Sequence, residues 1–250
     1  MPKKTKMMIF HHRQRNITNS KLNLCINDTP IEQVSEFNFL GLMLDESLTW
    51  NSHIQKISAK ISMVNGTLSR LKRFLPCDIL KVIYNALIQP HLNYGILLWG
   101  TNTKRIYKLQ KWALRAITSS KYNAHTDPLF LKLKLLKVHD IYRLNLLKFY
   151  FKYNRALSPN YFLEMFTSIF PTHDHDTRQR DLPMVARGKT SLADNSLRYL
   201  LPREIIKTPD IILDKLATHS FLGFSNYIKQ YYISFYSPIC EIEYCYICNR

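Results

Sequence analysis

Glycine is scarce in this sequence, 6 residues in 250 against 11 prolines. A turn-rich sandwich or barrel needs a glycine-punctuated strand about every ten residues, so that class is disfavoured. Acidic residues are also few, 18 against 35 Lys and Arg, and no two aspartates are adjacent. A two-metal polymerase or nuclease centre needs clustered carboxylates, which this distribution does not supply. Glycine-rich phosphate loops and nucleophile elbows are missing as well. The cysteines, at 25, 77, 240, 245 and 248, form an odd and scattered set, unlike the framework of a secreted disulfide domain. No apolar run reaches the roughly 18 residues of a membrane span. Met7-Met8-Ile9-Phe10 is too short for the core of a signal peptide. The expectation is a soluble, intracellular, non-secreted protein, compatible with nucleus and cytoplasm alike.

What is present is positive charge and apolar surface. The formal charge is +17, far beyond what solubility requires, and implies a polyanionic partner, nucleic acid before an anionic membrane surface. With 46% hydrophobic residues the chain is able to build a packed core, which excludes a wholly disordered tail.

The first fifty residues read as strands. Leu22, Leu24 and Ile26 alternate with polar positions as in a half-buried strand, Asn27-Asp28 gives a turn, and Pro30 to Val34 a short return. Phe37 to Leu44 is an almost wholly apolar run of strand length, expected to be covered on both faces. From Asn51 the period becomes helical. Ile54, Ile57, Ile61, Val64, Leu68 and Leu71 form one seam that ends before Pro76. A second helix is expected from about Asp78, carrying Ile79, Val82, Ile83, Ala86 and Leu87 and stopping before Pro90. A buried segment over 91–99, a helix over 103–118, a short helix capped by Asp127-Pro128, and a buried helix from Asp140 to Asn154 follow. Residues 171–195 are polar and read as a loop, and 220–236 as helical.

The helix at 103–118 carries the clearest functional pattern. Lys104, Lys108, Lys111 and Arg115 fall within about 60° of one another, opposite Ile106, Ala113 and Ile117. The stripe is about 16 Å long, enough to follow a few phosphates. A solvated face is the other reading, but such faces interleave acids, and residues 103–152 hold twelve Lys or Arg against only Asp127 and Asp140. Lys56, Lys60 and Arg70 repeat the design on the preceding seam helix, and Arg70, Lys72 and Arg73 crowd its end, where cations also favour the helix dipole.

Metal ligands are thin. His173-Asp174-His175-Asp176 is the densest cluster but reads as a polar loop, and Cys245-x-x-Cys248 with Cys240 lacks a fourth partner. No metal site and no bound cofactor are expected, and the chain alone reads as a binder.

Several strings taken together resemble one family. They are Lys4-Thr5-Lys6-Met7-Met8-Ile9-Phe10, Phe39-Leu40-Gly41-Leu42-Met43-Leu44-Asp45, and Leu48-Thr49-Trp50-Asn51-Ser52-His53-Ile54. Leu87-Ile88-Gln89-Pro90-His91-Leu92-Asn93-Tyr94-Gly95, Trp99-Gly100 and Leu109-Gln110-Lys111-Trp112-Ala113-Leu114-Arg115-Ala116-Ile117 continue it, then His125-Thr126-Asp127-Pro128-Leu129-Phe130. The set resembles the end of the reverse transcriptase of non-LTR (LINE-type, jockey-like) retrotransposons. The match covers about 1–157 well and 158–236 loosely, where Asn195 to Pro202 looks shortened.

The resemblance implies a mainly α protein with a short β N-terminal part. Residues 1–50 would be a palm remnant with a primer-grip-like hairpin, 51–157 a helical thumb and its extension, and 158–250 a weakly specified end with the loop at 171–195. Lys4 would match the lysine of the fourth palm motif, sometimes assigned to protonating pyrophosphate. Phe39, Leu40 and Gly41 would place the primer's 3′ end. The Tyr-x-Asp-Asp hairpin and the earlier palm aspartate have no counterpart here. This chain alone is therefore expected to be inactive, with Mg2+ and dNTP belonging to a complete enzyme that supplies the N-terminal part. Its partners would be RNA and DNA as template–primer, contacted with little sequence preference. The rival reading is a non-enzymatic, decayed or domesticated element fragment whose helices bind protein. A membrane-surface role fits poorly, because the apolar face at 103–118 carries the small Ala113 and Ala116.

Overall fold

The computed structural model describes residues 5–11, 22–167 and 188–238. Lys4, the cluster at 173–176 and Cys240, Cys245 and Cys248 lie outside these. The chain divides into two compact units, Met1–Ala59 and Lys60–Arg250.

The first unit holds every strand among the described residues: β1 (Lys6–Met7), β2 (Cys25–Ile26), β3 (Thr29–Pro30), β4 (Glu32–Gln33), β5 (Glu36–Phe39) and β6 (Leu42–Asp45). They pair two by two, β1 with β4 in parallel, β2 with β3 and β5 with β6 antiparallel. The turn expected at Asn27-Asp28 is there, both residues adopting positive φ, 47° and 57°.

Two expectations fail in this unit. Phe37 to Leu44 is not one covered strand: Leu40 (φ 48°) and Gly41 (φ 88°) form a two-residue turn, and Phe39 faces Leu42 across it. Positive φ at two successive positions matches the right-handed twist of paired strands, so the glycine breaks the run into a hairpin. Leu22, Leu24 and Ile26 are exposed rather than half-buried: β2 and β3 are two residues each and, among the described residues, pair only with one another.

β6 leads into α1 (Asn51–Leu71) through a turn built on Asp45. Its Oδ1 accepts from the backbone N–H of Ser47 (3.2 Å) and Thr49 (2.9 Å), and its Oδ2 from the Thr49 hydroxyl (3.1 Å) and the Trp50 N–H (3.0 Å). Those bonds hold Leu48 and Trp50 at positive φ, 49° and 63°, which isolated non-glycine residues disfavour. Buried His53 then returns to the hairpin, its Nδ1 accepting from the Met43 N–H at 3.3 Å.

The second unit contains the rest of α1 and, in order, α2 (Cys77–Leu87), α3 (Gln89–Asn93), α4 (Ile96–Trp99), α5 (Lys104–Ile117), α6 (Asp127–Leu133) and α7 (Val138–Asn154). Then come α8 (Asn160–Thr167), α9 (Ser191–Asp194), α10 (Leu197–Lys207), α11 (Asp210–Leu213), α12 (Lys215–Thr218) and α13 (Phe221–Ser234). The protein is thus mainly α with short N-terminal strands. α7 packs against α3, α4, α5, α10 and α13, which is why it is apolar nearly all round. Leu146 on α7 joins Phe166, Leu201 and Ile205 in one buried cluster. The short helices of the weakly patterned end, with Pro202 inside α10, give no clear period in the sequence.

α2 buries a stripe that the sequence period does not single out. Leu80, Tyr84 and, just beyond the helix, Ile88 are buried, while Ile79, Val82 and Leu87 are exposed. The stripe at i, i+4 and i+8 buries the largest side chain, and the neighbouring residues are apolar enough that periodicity cannot choose between the faces. Among the described residues no helix is long and apolar enough to cross a membrane.

Candidate nucleic-acid interface

α5 forms where a 3.6-residue period meets a basic face. Ile106, Ala113, Leu114, Ala116 and Ile117 are buried, and so is one polar residue, Gln110. Gln110 Nε2 donates to the Tyr84 hydroxyl and to the Leu136 carbonyl, each at 2.8 Å, and its Oε1 accepts from the Val138 N–H at 2.9 Å. One side chain therefore ties α5 to α2 and to the start of α7. Burial pushes the Tyr84 phenol well above its ordinary value, so the ring stays neutral and keeps donor and acceptor capacity. Asn65 Nδ2 adds a bond from α1 to the Leu109 carbonyl at 2.9 Å. These contacts fix the rotation of α5 and hence the direction of its cations.

The outward sector is rotated from the stripe read in the sequence. Lys104, Arg105, Lys108 and Trp112 are exposed and fall within about 100° of one another. Lys111 is half-buried with its Nζ 4.8 Å from the centre of the Tyr107 ring. Arg115 is half-buried too, and its Nε donates to the Ala124 carbonyl at 2.9 Å, so it fixes the loop after the helix. Burial lowers the Arg115 guanidinium below the ordinary arginine value, with the neighbouring Tyr122 phenol acting the other way. Lys104, Arg105 and Lys108 form no ion pair with any described residue. Trp112, 41% exposed, was not singled out by the sequence; the signal was a large aromatic falling outside the apolar sector of the helical wheel.

The other expected contacts are dispersed. Lys60, Arg70, Lys72 and Arg73 are exposed, the last two beyond the end of α1, and Lys56 in the first unit is half-buried. The charge of Lys60, after burial, helps to lower the pKa of His91. In the first unit Phe39 (54%) and Leu40 (74%) stand exposed with Gly41 at the hairpin tip.

The second unit also has a polar cavity of about 430 Å³, lined by His139, Asp140, Arg143, Glu204, Lys207 and Tyr232 among others. Buried Asp140 accepts from the Tyr236 hydroxyl, which itself accepts from the Lys137 N–H at 3.0 Å. Arg143 lies 3.8 Å from Asp140 and 3.6 Å from Glu204. Burial raises Glu204 above the usual carboxylate range, against the pull of Arg143 and Lys207. These acids and bases are spent on one another, joining α7, α10 and the end of α13. Among the described residues no group of three His, Cys, Asp or Glu could hold a metal ion.

About half of the chain is similar to the RNA-directed DNA polymerases of non-LTR retrotransposons. Over 123 residues it is 28% identical to a probable RNA-directed DNA polymerase from transposon X-element of Drosophila melanogaster, covering 46% of this chain and 13% of that protein. The same shares hold at 29% identity for the RNA-directed DNA polymerase from mobile element jockey of Drosophila funebris. An uncharacterized protein, B0403.1 of Caenorhabditis elegans, is 31% identical over 81 residues, 32% of this chain and 41% of its own. The chain thus spans about an eighth of the length of the polymerases it matches. No family model and no solved structure matches.

Proposed function

We propose that this chain is the thumb-side part of a retrotransposon RNA-directed DNA polymerase and holds the template–primer by its backbone. The observation that carries the reading is the exposed face of α5, where Lys104, Arg105 and Lys108 have no acidic partner among the described residues. Three unpaired cations on one rigid helix, in a chain of charge +17, match a polyanion better than a solvated face, because i,i+4 repulsion is otherwise unrelieved. Similarity to RNA-directed DNA polymerases supports RNA and DNA as that polyanion. The apolar hairpin tip at Phe39, Leu40 and Gly41 would contact the primer terminus. Lys60, Arg70, Lys72 and Arg73 would add further phosphate contacts, as would Lys56. RNA-directed synthesis also needs dNTP and a divalent ion such as Mg2+. Among the described residues no group of three His, Cys, Asp or Glu could hold that ion.

A second reading, a helical scaffold that binds protein, is favoured by the exposed apolar face of α2 with Phe74 and Met63 nearby in sequence. Titration of the full chain with an RNA–DNA primer–template at increasing salt separates the two. Affinity that falls steeply with salt supports template–primer binding; no binding, together with salt-insensitive capture of a protein partner, overturns it.

A further inference from the structure

The exposed face of α5 combines two chemistries that one class of ligand satisfies together. Trp112 is 41% exposed although Ala113 and Leu114, its successors on the helix, are completely buried. The helix is therefore locked in rotation, and the indole has no route to the core. Its neighbours one turn away are Lys108 on one side and Arg115 on the other, with Arg105 two turns back. An apolar protein surface covering Trp112 would have to desolvate those cations without a counter-charge.

Beyond the helix, Tyr122 is 91% exposed at the tip of a tightly held loop. Arg115 Nε bonds the Ala124 carbonyl, the Ser120 N–H bonds the Arg115 carbonyl at 3.0 Å, and the Ser120 and Thr118 hydroxyls meet at 2.7 Å. Arg115 thus lies one turn from Trp112 and holds the loop that presents Tyr122.

We propose that Trp112, with Tyr122 as a second platform, stacks on unpaired bases of a single-stranded RNA or DNA segment whose phosphates are held by Lys104, Arg105 and Lys108. The inference rests on the nucleic-acid reading above and narrows it. Bases inside a duplex have both faces occupied by their neighbours, so away from duplex ends an unpaired base is needed to offer its face to an indole. Stacking is tolerant of sequence, consistent with a surface that offers cations and rings but no array of base-reading amides.

The test uses the full chain, its Trp112→Leu and Trp112→Phe variants, and three probes of equal length: oligo(U), oligo(dT) and a blunt duplex. Loss of the ring in Trp112→Leu is expected to weaken binding of both single strands by roughly tenfold, with the duplex affinity unchanged. Trp112→Phe should retain most of the affinity, and the quenching of tryptophan emission by oligo(dT) should diminish in both variants. A response to one single-stranded probe only assigns the site to RNA or to DNA. Equal affinity of Trp112→Leu and wild type for both single strands overturns the stacking site while leaving backbone binding intact. Loss of single-strand and duplex binding in equal measure overturns it as well. Absence of salt-dependent binding by the wild-type chain to all three probes instead brings down the nucleic-acid reading itself. An unchanged far-ultraviolet spectrum and urea midpoint in both variants guard against misfolding.

Discussion

The amide of Gln110 and the hydroxyl of Tyr84 meet at 2.8 Å inside a core that excludes water from both. Because the same amide bonds the Leu136 carbonyl and the Val138 N–H, α2, α5 and α7 share one polar joint, and the orientation of the basic face depends on it.

Gln110→Leu removes that joint at nearly constant volume. It leaves the Leu136 carbonyl and the Val138 N–H buried without partners, each worth about 1–3 kcal/mol. A loss of roughly 3 kcal/mol in urea unfolding is expected, well above that of an exposed control such as Gln55→Leu.

Gly100 sits under the ring of Tyr142. A Cβ at this position would lie 2.2 Å from Tyr142 Cδ2 and 2.5 Å from the Ile96 carbonyl oxygen. The ring can swing away but the carbonyl belongs to the last turn of α4, so Gly100→Ala is expected to lose about 1–3 kcal/mol. In a double-mutant cycle Gly100→Ala should cost less in a Tyr142→Ala background than in wild type, without falling to zero.

His139 gives the second unit a pH dependence. Burial is the largest influence and lowers its pKa below 6.5; Asp140 and Asp127 pull it up, Lys137 and Arg143 push it down. In the window between the lowered folded value and the unfolded value the unfolded chain binds more protons. Stability therefore rises with pH there and is lost as pH falls through it. The raised Glu204 acts in the opposite sense at lower pH, since acid relieves its burial. His139→Gln should show a smaller fall in urea midpoint than wild type between about pH 7.5 and about pH 5.5.

Much of this was legible in the sequence, and the exceptions have physical causes. The α5 period and α7's all-round apolarity locate both helices, and the Asn27-Asp28 turn is visible in the residue types. The Leu40-Gly41 turn was masked by Leu40, which takes a conformation normally left to Gly or Asn. The buried face of α2 is not legible because apolar residues lie on both its faces; the one that goes inward holds Tyr84, whose hydroxyl accepts from Gln110. The burial of Gln110 is not legible in the sequence, since a buried amide is distinguished only by the partners it finds. Trp112 and Tyr122 were overlooked for the reverse reason: aromatic rings are read as core until the packing leaves them outside.

Phosphate tracking by the face of α5 is open to a direct test. The direct measurement is the dependence of primer–template affinity on salt for the full chain and for Lys104→Gln, Arg105→Gln and Lys108→Gln combined. All three side chains are exposed and unpaired among the described residues, so folding should be untouched. A log–log slope smaller by roughly two to three, at about 0.7–0.9 per lost contact, is the expected result. An unchanged slope would mean that this face does not track phosphates.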